Sequence, residues 1–97
     1  MSKRGFVYIL TNKTNTVLYV GVTSNLTQRL NQHRSGVFKN SFTSKYKVSK
    51  LVYYEEFLTI EDAIYREKQL KAGSRKKKVE LIEKMNKEWN DLSATYF

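Results

Sequence analysis

The sequence predicts a small domain of the α/β class, α+β in type, built from three strands and about three helices. Three observations point there. Three short runs, 6–10, 17–22 and 51–57, are rich in β-branched and aromatic residues. Three longer stretches repeat apolar residues at helical spacing, each behind a Ser or Thr. The chain is 97 residues long with no repeat and no linker, so one domain spanning 1–97 is expected.

The elements follow in order. Phe6-Val7-Tyr8-Ile9-Leu10 reads as the first strand. Residues 11–16 are polar, and Asn12 and Asn15 tolerate left-handed backbone, so they read as a turn. Residues 17–22 then return as an antiparallel partner. Side chains alternate along a strand, which puts Leu18, Val20 and Val22 on one face and Tyr19 and Gly21 on the other. Gly21 leaves space beside Tyr19 for a ligand or a close backbone. Ser24 is the expected N-cap of a helix to about residue 34, stopped by Gly36, with Leu26 and Leu30 on its buried stripe. Residues 37–50 read as a polar loop in which Phe38, Phe42 and Tyr46 alternate with lysines. Such rings either stack on the bases of a nucleic-acid strand or pin the loop to the core. After the third strand, Thr59 caps a helix over 60–72, with Asp62 at the capping-box position and Gly73 as its stop. Ser74 caps a last helix over about 75–88, with Val79, Ile82 and Met85 on its apolar side. Residues 93–97 carry no clear signal.

Composition narrows the function. The chain has 18 Lys and Arg against 9 Asp and Glu, a net charge of +9, and residues 1–50 contain no carboxylate side chain. Such asymmetry favours a polyanionic partner, because each phosphate contact releases counterions. With hydrophobic residues at 40%, the chain is globular rather than disordered. There is no cysteine, so disulfides and thiolate zinc sites are excluded and a reducing cytoplasm is the default expectation. No apolar run approaches the ~18–20 residues needed to span a bilayer, and no signal peptide is expected.

A few residues have the chemistry of a phosphodiester site. Arg29 and His33 lie four apart on the predicted first helix, so they share a stripe. Glu67 falls on the apolar stripe formed by Ile60, Ala63, Ile64 and Leu70. A carboxylate there is partly desolvated and needs a metal or a cation, and Lys71, four residues on, is the competing partner. Arg75, Lys76, Lys77 and Lys78 crowd a first helical turn, where positive charge is unfavourable unless phosphate or solvent offsets it. Tyr8 and Tyr19 are either core aromatics or phenols activated by nearby cations, for which Arg29, His33 and a metal are the candidates. His33 is the only histidine, which excludes a two-histidine metal site.

These residues together resemble the GIY-YIG endonuclease superfamily, and most closely its small stand-alone bacterial members. The resemblance runs through Phe6-Val7-Tyr8, Tyr19-Val20-Gly21-Val22-Thr23-Ser24-Asn25-Leu26, Arg29-Leu30 and His33. It continues through Phe42-Thr43-Ser44-Lys45-Tyr46, Leu51-Val52-Tyr53-Tyr54-Glu55 and Arg66-Glu67-Lys68-Gln69-Leu70-Lys71. Phe6 stands where the first tripeptide has its glycine, with Gly5 one place early. The resemblance implies a three-stranded antiparallel sheet flanked by helices. It also implies metal-dependent phosphodiester cleavage of DNA. A structure-specific activity tied to repair or recombination, a cytoplasmic location and a monomeric state are expected beside it. By position, Tyr19 corresponds to the general base or water-orienting tyrosine and Tyr8 to its partner in the first strand. Arg29 corresponds to the phosphate-steadying arginine, His33 to the group near the scissile phosphate, and Glu67 to the single ligand of Mg²⁺ or Mn²⁺. Asn90 is the choice for a late asparagine, with Asn86 as rival. Gly21, Arg34, Lys39, Lys45, Lys47 and residues 75–78 are the expected nucleic-acid contacts. A non-cleaving DNA- or RNA-binding module on the same fold is the alternative.

Overall fold

Gly5–Thr11 (β1), Leu18–Thr23 (β2) and Lys50–Phe57 (β3) form one antiparallel sheet in the order β2-β1-β3. The structure is a computed structural model and describes residues 3–35 and 45–96. β1 is the central strand and is covered on both faces. Val7, Tyr8, Ile9, Leu10 and Thr11 are accordingly buried in succession, without the alternation of a one-sided strand.

The two faces make two cores. On one, Leu26–Ser35 (α1) sets Leu26 and Leu30 against Tyr8, Leu10 and Leu51, and buried Val48 joins them. On the other, Ile60–Ala72 (α2) and Arg75–Met85 (α3) bring Ala63, Leu70 and Ile82 onto Val7, Ile9, Val20 and Val52. Gly5 permits the close start of β1, since a Cβ there would stand 2.6 Å from Ala63 Cβ and 2.8 Å from Ile60 Cα.

The β1–β2 turn is organised by Asn12, whose Oδ1 accepts from Thr16 N at 2.8 Å and Val17 N at 3.0 Å. Asn15 takes the left-handed backbone, φ 59. α2 has its expected bounds, and Thr59 Oγ1 accepts from Asp62 N at 3.2 Å. Ser74 caps α3 by accepting from Lys77 N at 3.2 Å.

Several expectations are corrected. The cap of α1 is Asn25, whose Oδ1 accepts from Gln28 N at 3.0 Å, and Ser24 is exposed outside the helix. Gly73 does end α2 as expected, at φ −79, with its N–H shared between Gln69 O at 3.1 Å and Leu70 O at 3.2 Å. α3 stops at Met85 because Asn86 leaves the helix, φ −145, and turns its amide into the core. Ile64 and Met85 are 38% and 48% exposed, so neither belongs to its helix's buried stripe. Ser93–Tyr96 (α4) is a short helix where no signal was read.

The stretch before α4 bonds the Leu51 end of the outer edge of β3. Leu92 N donates to Leu51 O at 2.7 Å, and Asp91 Oδ1 accepts from Leu51 N at 3.2 Å. Pairing steps from Ile9↔Tyr53 to Leu10↔Leu51, which leaves Val52 as the extra residue of a bulge. The Asn86 amide donates to that residue's carbonyl at 3.2 Å. β2, the other edge, carries Tyr19.

Candidate active site

The register places Tyr8 opposite Gly21 and Leu10 opposite Tyr19. A Cβ on residue 21 would lie 2.3 Å from Tyr8 Cζ and 2.4 Å from its hydroxyl oxygen. The glycine is therefore required by the Tyr8 ring, which crosses it toward the β2 edge. This corrects the reading of Gly21 as a nucleic-acid contact: it is buried, and the phenol fills the space above it.

Three rings meet there. Tyr8 and Tyr19 have centroids 6.4 Å apart, and His33 stands edge-on to both, 6.1 Å from Tyr8 and 5.8 Å from Tyr19. The Tyr8 hydroxyl is 3.3 Å from His33 Nε2. α1 supplies this histidine because Leu26 and Leu30 bury the neighbouring stripe, which turns Arg29 and His33 toward the sheet. Arg29 lies close enough to the Tyr8 hydroxyl to favour its ionised form.

Burial decides the protonation states. It pushes the Tyr8 phenol well above its ordinary 10.0, Tyr19 adds to the rise, and the nearby Arg29 only partly offsets it. Tyr8 is thus a neutral hydrogen-bonding phenol at physiological pH. Burial, and then the Arg29 charge, lower His33 below 6.5, so its imidazole is neutral at pH 7. The expectation that His33 supplies positive charge is corrected accordingly. The fixed charge of the ring cluster is the Arg29 guanidinium.

Glu67 approaches from α2. Its side chain is only 16% exposed and meets Lys71 Nζ at 3.1 Å, so the competing partner read in the sequence is present. The same carboxylate is near enough to Tyr8 to add to the rise in its pKa. Lys71 in turn lines an open cleft of about 380 Å³ with Tyr19 and Lys78 at the β2 edge. Tyr8, Tyr19, Arg29 and His33 therefore form one cluster on the α1 face, and Glu67, from α2 on the other face, lies within electrostatic range of Tyr8.

The late asparagines lie elsewhere. Asn86 is buried beside β3, donating to Val52 O and to Asn90 O. Asn90 is exposed, and its N–H returns to Asn86 Oδ1 at 3.0 Å. Both stand by the β3 edge, across β1 from Tyr19.

The expected basic contacts divide. Arg34 turns to Asp91 at 3.9 Å and donates to Ser93 Oγ, so it ties α1 to the β3 edge. Arg75 donates to Asn15 O at 3.1 Å and Lys78 to Gly73 O at 2.8 Å, while Lys76 and Lys77 are exposed. Carbonyl oxygens thus offset part of the crowded charge. Lys45 is exposed beside the Tyr46 ring, 5.5 Å from its centroid, and Lys47 is exposed at φ 55. Tyr46 is 44% exposed, so Val48 pins this end of the loop to the core and the ring does not. Lys39, Phe38, Phe42 and Gly36 lie outside the described residues.

One cluster escaped the sequence reading. Glu55 on β3 accepts from Arg66 Nε at 3.2 Å and Nη2 at 3.1 Å, and also from the Tyr53 hydroxyl. Burial, then the bond to Glu55, push the Tyr53 phenol up to about 12. The two-residue spacing of Tyr53 and Glu55, which shares one strand face, was the available signal. Arg66 precedes Glu67, so this clamp fixes the rotation of α2 where the carboxylate leaves it.

A sheet of this topology with paired tyrosines, an arginine and one carboxylate at its edge defines a GIY-YIG nuclease fold, and the chain belongs to that family. The profile of the GIY-YIG catalytic domain matches residues 4–80. Its relatives are small proteins of the UPF0213 group. One from Syntrophus aciditrophicus (strain SB) is 40% identical over 82 residues, 84% of this chain and 92% of its own length. Another from Staphylococcus haemolyticus (strain JCSC1435) is 36% identical over 78 residues, 80% of this chain and 93% of its own. The solution NMR structure of the UPF0213 protein BH0048 from Bacillus halodurans matches with a TM-score of 0.57 at 28% identity, covering 91% of this chain and 92% of that one. Among the described residues no helix is long and apolar enough to cross a membrane.

Proposed function

We propose that residues 1–97 act as a single metal-dependent nuclease domain that hydrolyses phosphodiester bonds in DNA. The observation that carries this reading is the packing of Tyr8, Tyr19 and His33 beside Arg29 at a sheet edge, within the electrostatic reach of Glu67. Arg29 stabilises the charge that grows on the phosphoryl oxygens. Tyr8, held neutral, orients His33 through its hydroxyl. Tyr19 is half-buried at the open side and accepts a hydrogen bond from the attacking water. The water oxygen bonds to phosphorus as the bond to the leaving sugar oxygen breaks in line, the water's proton passing by way of the Tyr19 hydroxyl to solvent while the leaving oxygen takes a proton from solvent.

The donor set fits one hard divalent cation. Among the described residues no three His, Cys, Asp or Glu side chains form a metal-holding group. Glu67 would therefore be the one protein carboxylate, with phosphate oxygens and waters as the rest, which is how Mg²⁺ is commonly held. Mg²⁺ or Mn²⁺ bound there supplies Lewis-acid stabilisation to the phosphoryl group. Lys71 must give way for Glu67 to serve. That ion pair favours a second reading, a nucleic-acid-binding domain that does not cut.

The test is incubation of pure protein with nicked, branched and single-stranded DNA in Mg²⁺ or Mn²⁺. Cleavage is expected, with a drop of about 10²-fold or more for Glu67→Ala and Tyr19→Phe, the loss typical of removing a group that acts in the transition state. Undiminished cleavage by both variants would reject the mechanism. Binding by the wild type with no product in either metal would select the non-cutting reading.

A further inference from the structure

We infer that the cleft between α2 and α3 is a second phosphate-binding site, which grips the nucleic-acid backbone away from the tyrosines. The inference rests on the nucleic-acid reading above and adds a site to it. The cleft has a volume of about 560 Å³, with Leu70 and Leu81 among its lining. Lys77, Lys78 and Lys84 bring it positive charge, and Glu80 is the carboxylate in its lining. Arg66 also borders it, but Glu55 already neutralises that guanidinium. The ion pairs among the described residues include none of Lys77, Lys78, Lys84 or Glu80.

Helical spacing gives the cleft a direction. Lys77, Leu81 and Lys84 recur at intervals of four and three, so they share one face of α3, with the two lysines ~10 Å apart along it. That is a stripe of charge with an apolar patch between, suited to a chain of phosphates more than to one point anion.

Lys78 connects this cleft to the candidate active site. It lines both the α2–α3 cleft and the smaller one that holds Tyr19 and Lys71. Its ammonium is held by the carbonyl of Gly73 at 2.8 Å, which fixes it at the junction and leaves two N–H groups for a ligand. A polymer whose scissile phosphate lies at the tyrosines passes Lys71 and Lys78 and then enters the α2–α3 cleft. A small anion would gain nothing from that continuity.

The experiment measures binding in EDTA, where cleavage is not required. Fluorescence anisotropy follows a labelled duplex and a labelled single strand across a salt series. Lys77→Gln/Lys84→Gln is expected to reduce the slope of log K against log[salt] by roughly 1.4–1.8 for at least one probe, about 0.7–0.9 per lost phosphate contact. Lys68→Gln/Lys87→Gln removes the same charge from exposed lysines outside the cleft and is expected to change the slope by less than half as much. Glu80→Gln is expected to tighten binding about two- to fivefold by removing a like charge, a gain that damaged folding would not produce. Equal slopes for the two double variants, or no tightening with Glu80→Gln, overturn the inference. Cleavage in Mg²⁺ is scored separately. Binding that behaves as expected without any product sinks the nuclease reading and leaves the cleft. Normal cleavage with cleft variants that bind like wild type sinks the cleft alone.

Discussion

His33 shows how a buried neighbour changes what a residue offers. Its ring lies between two phenols, and its proton affinity is set first by burial and then by Arg29. A depressed pKa means the unfolded chain binds the proton first as acidity rises. The stability that His33 contributes is therefore complete above 6.5 and is lost as pH falls through that value toward the lower folded pKa. An NMR titration of the imidazole should have its midpoint below 6.5. Arg29→Gln should raise that midpoint without restoring the ordinary value, because burial remains the larger cause. A wild-type midpoint at or above 6.5 would contradict the arrangement. Gly21 belongs to the same local logic. Its position in the Tyr19-Val20-Gly21 motif follows from the ring of Tyr8 across the ladder, a contact that sequence spacing alone does not reveal.

At the scale of elements, the strands and the bounds of α2 were legible because each is set by local chemistry: β-branched runs, a capping threonine, a glycine stop. The start of α1 was not, since Ser24 and Asn25 are adjacent and equally good caps by type. Only the hydrogen bond distinguishes them: Gln28 N reaches Asn25 Oδ1 at 3.0 Å. Asn25→Ala should therefore cost about 1 kcal/mol in chemical denaturation, and Ser24→Ala a few tenths at most. The reverse order would return the cap to Ser24. The end of α3 was misread for a different reason. Residues 87 and 88 are good helix formers, but Asn86 is worth more to the fold as a donor to the bulged carbonyl of Val52 than as another helical residue. Arg34 is basic, and charge by itself suggests a nucleic-acid contact. Its commitment to Asp91 and Ser93 depends on residues about sixty positions later, which no local pattern encodes.

Over the whole molecule, the two edges of the sheet have opposite fates. An edge strand presents unpaired N–H and C=O groups that invite pairing with another chain unless something covers them. β2 carries Tyr19 beside Lys71 and Lys78, so charged and hydroxyl side chains line an open cleft there. β3 is bonded at its Leu51 end by its own chain, and Asp91 is the centre of that contact. Its Oδ1 accepts from Leu51 N at 3.2 Å, from Ser93 N at 3.1 Å and from Ser93 Oγ at 2.6 Å. Leu51 is fully buried, so Asp91→Ala strands its N–H without an acceptor. A buried donor left unsatisfied costs about 1–3 kcal/mol, and urea denaturation should show a loss of that size. Asp91→Asn keeps a carbonyl oxygen at the same place and should recover most of it. The pair of variants separates the hydrogen bond from the ion pair, because both remove the charge facing Arg34 at 3.9 Å and only one removes the acceptor. Equal losses would assign the closure to the Arg34 contact. An Asp91→Ala protein within about 0.5 kcal/mol of wild type, the range of ordinary surface changes, would mean that Leu92 N to Leu51 O holds this edge unaided.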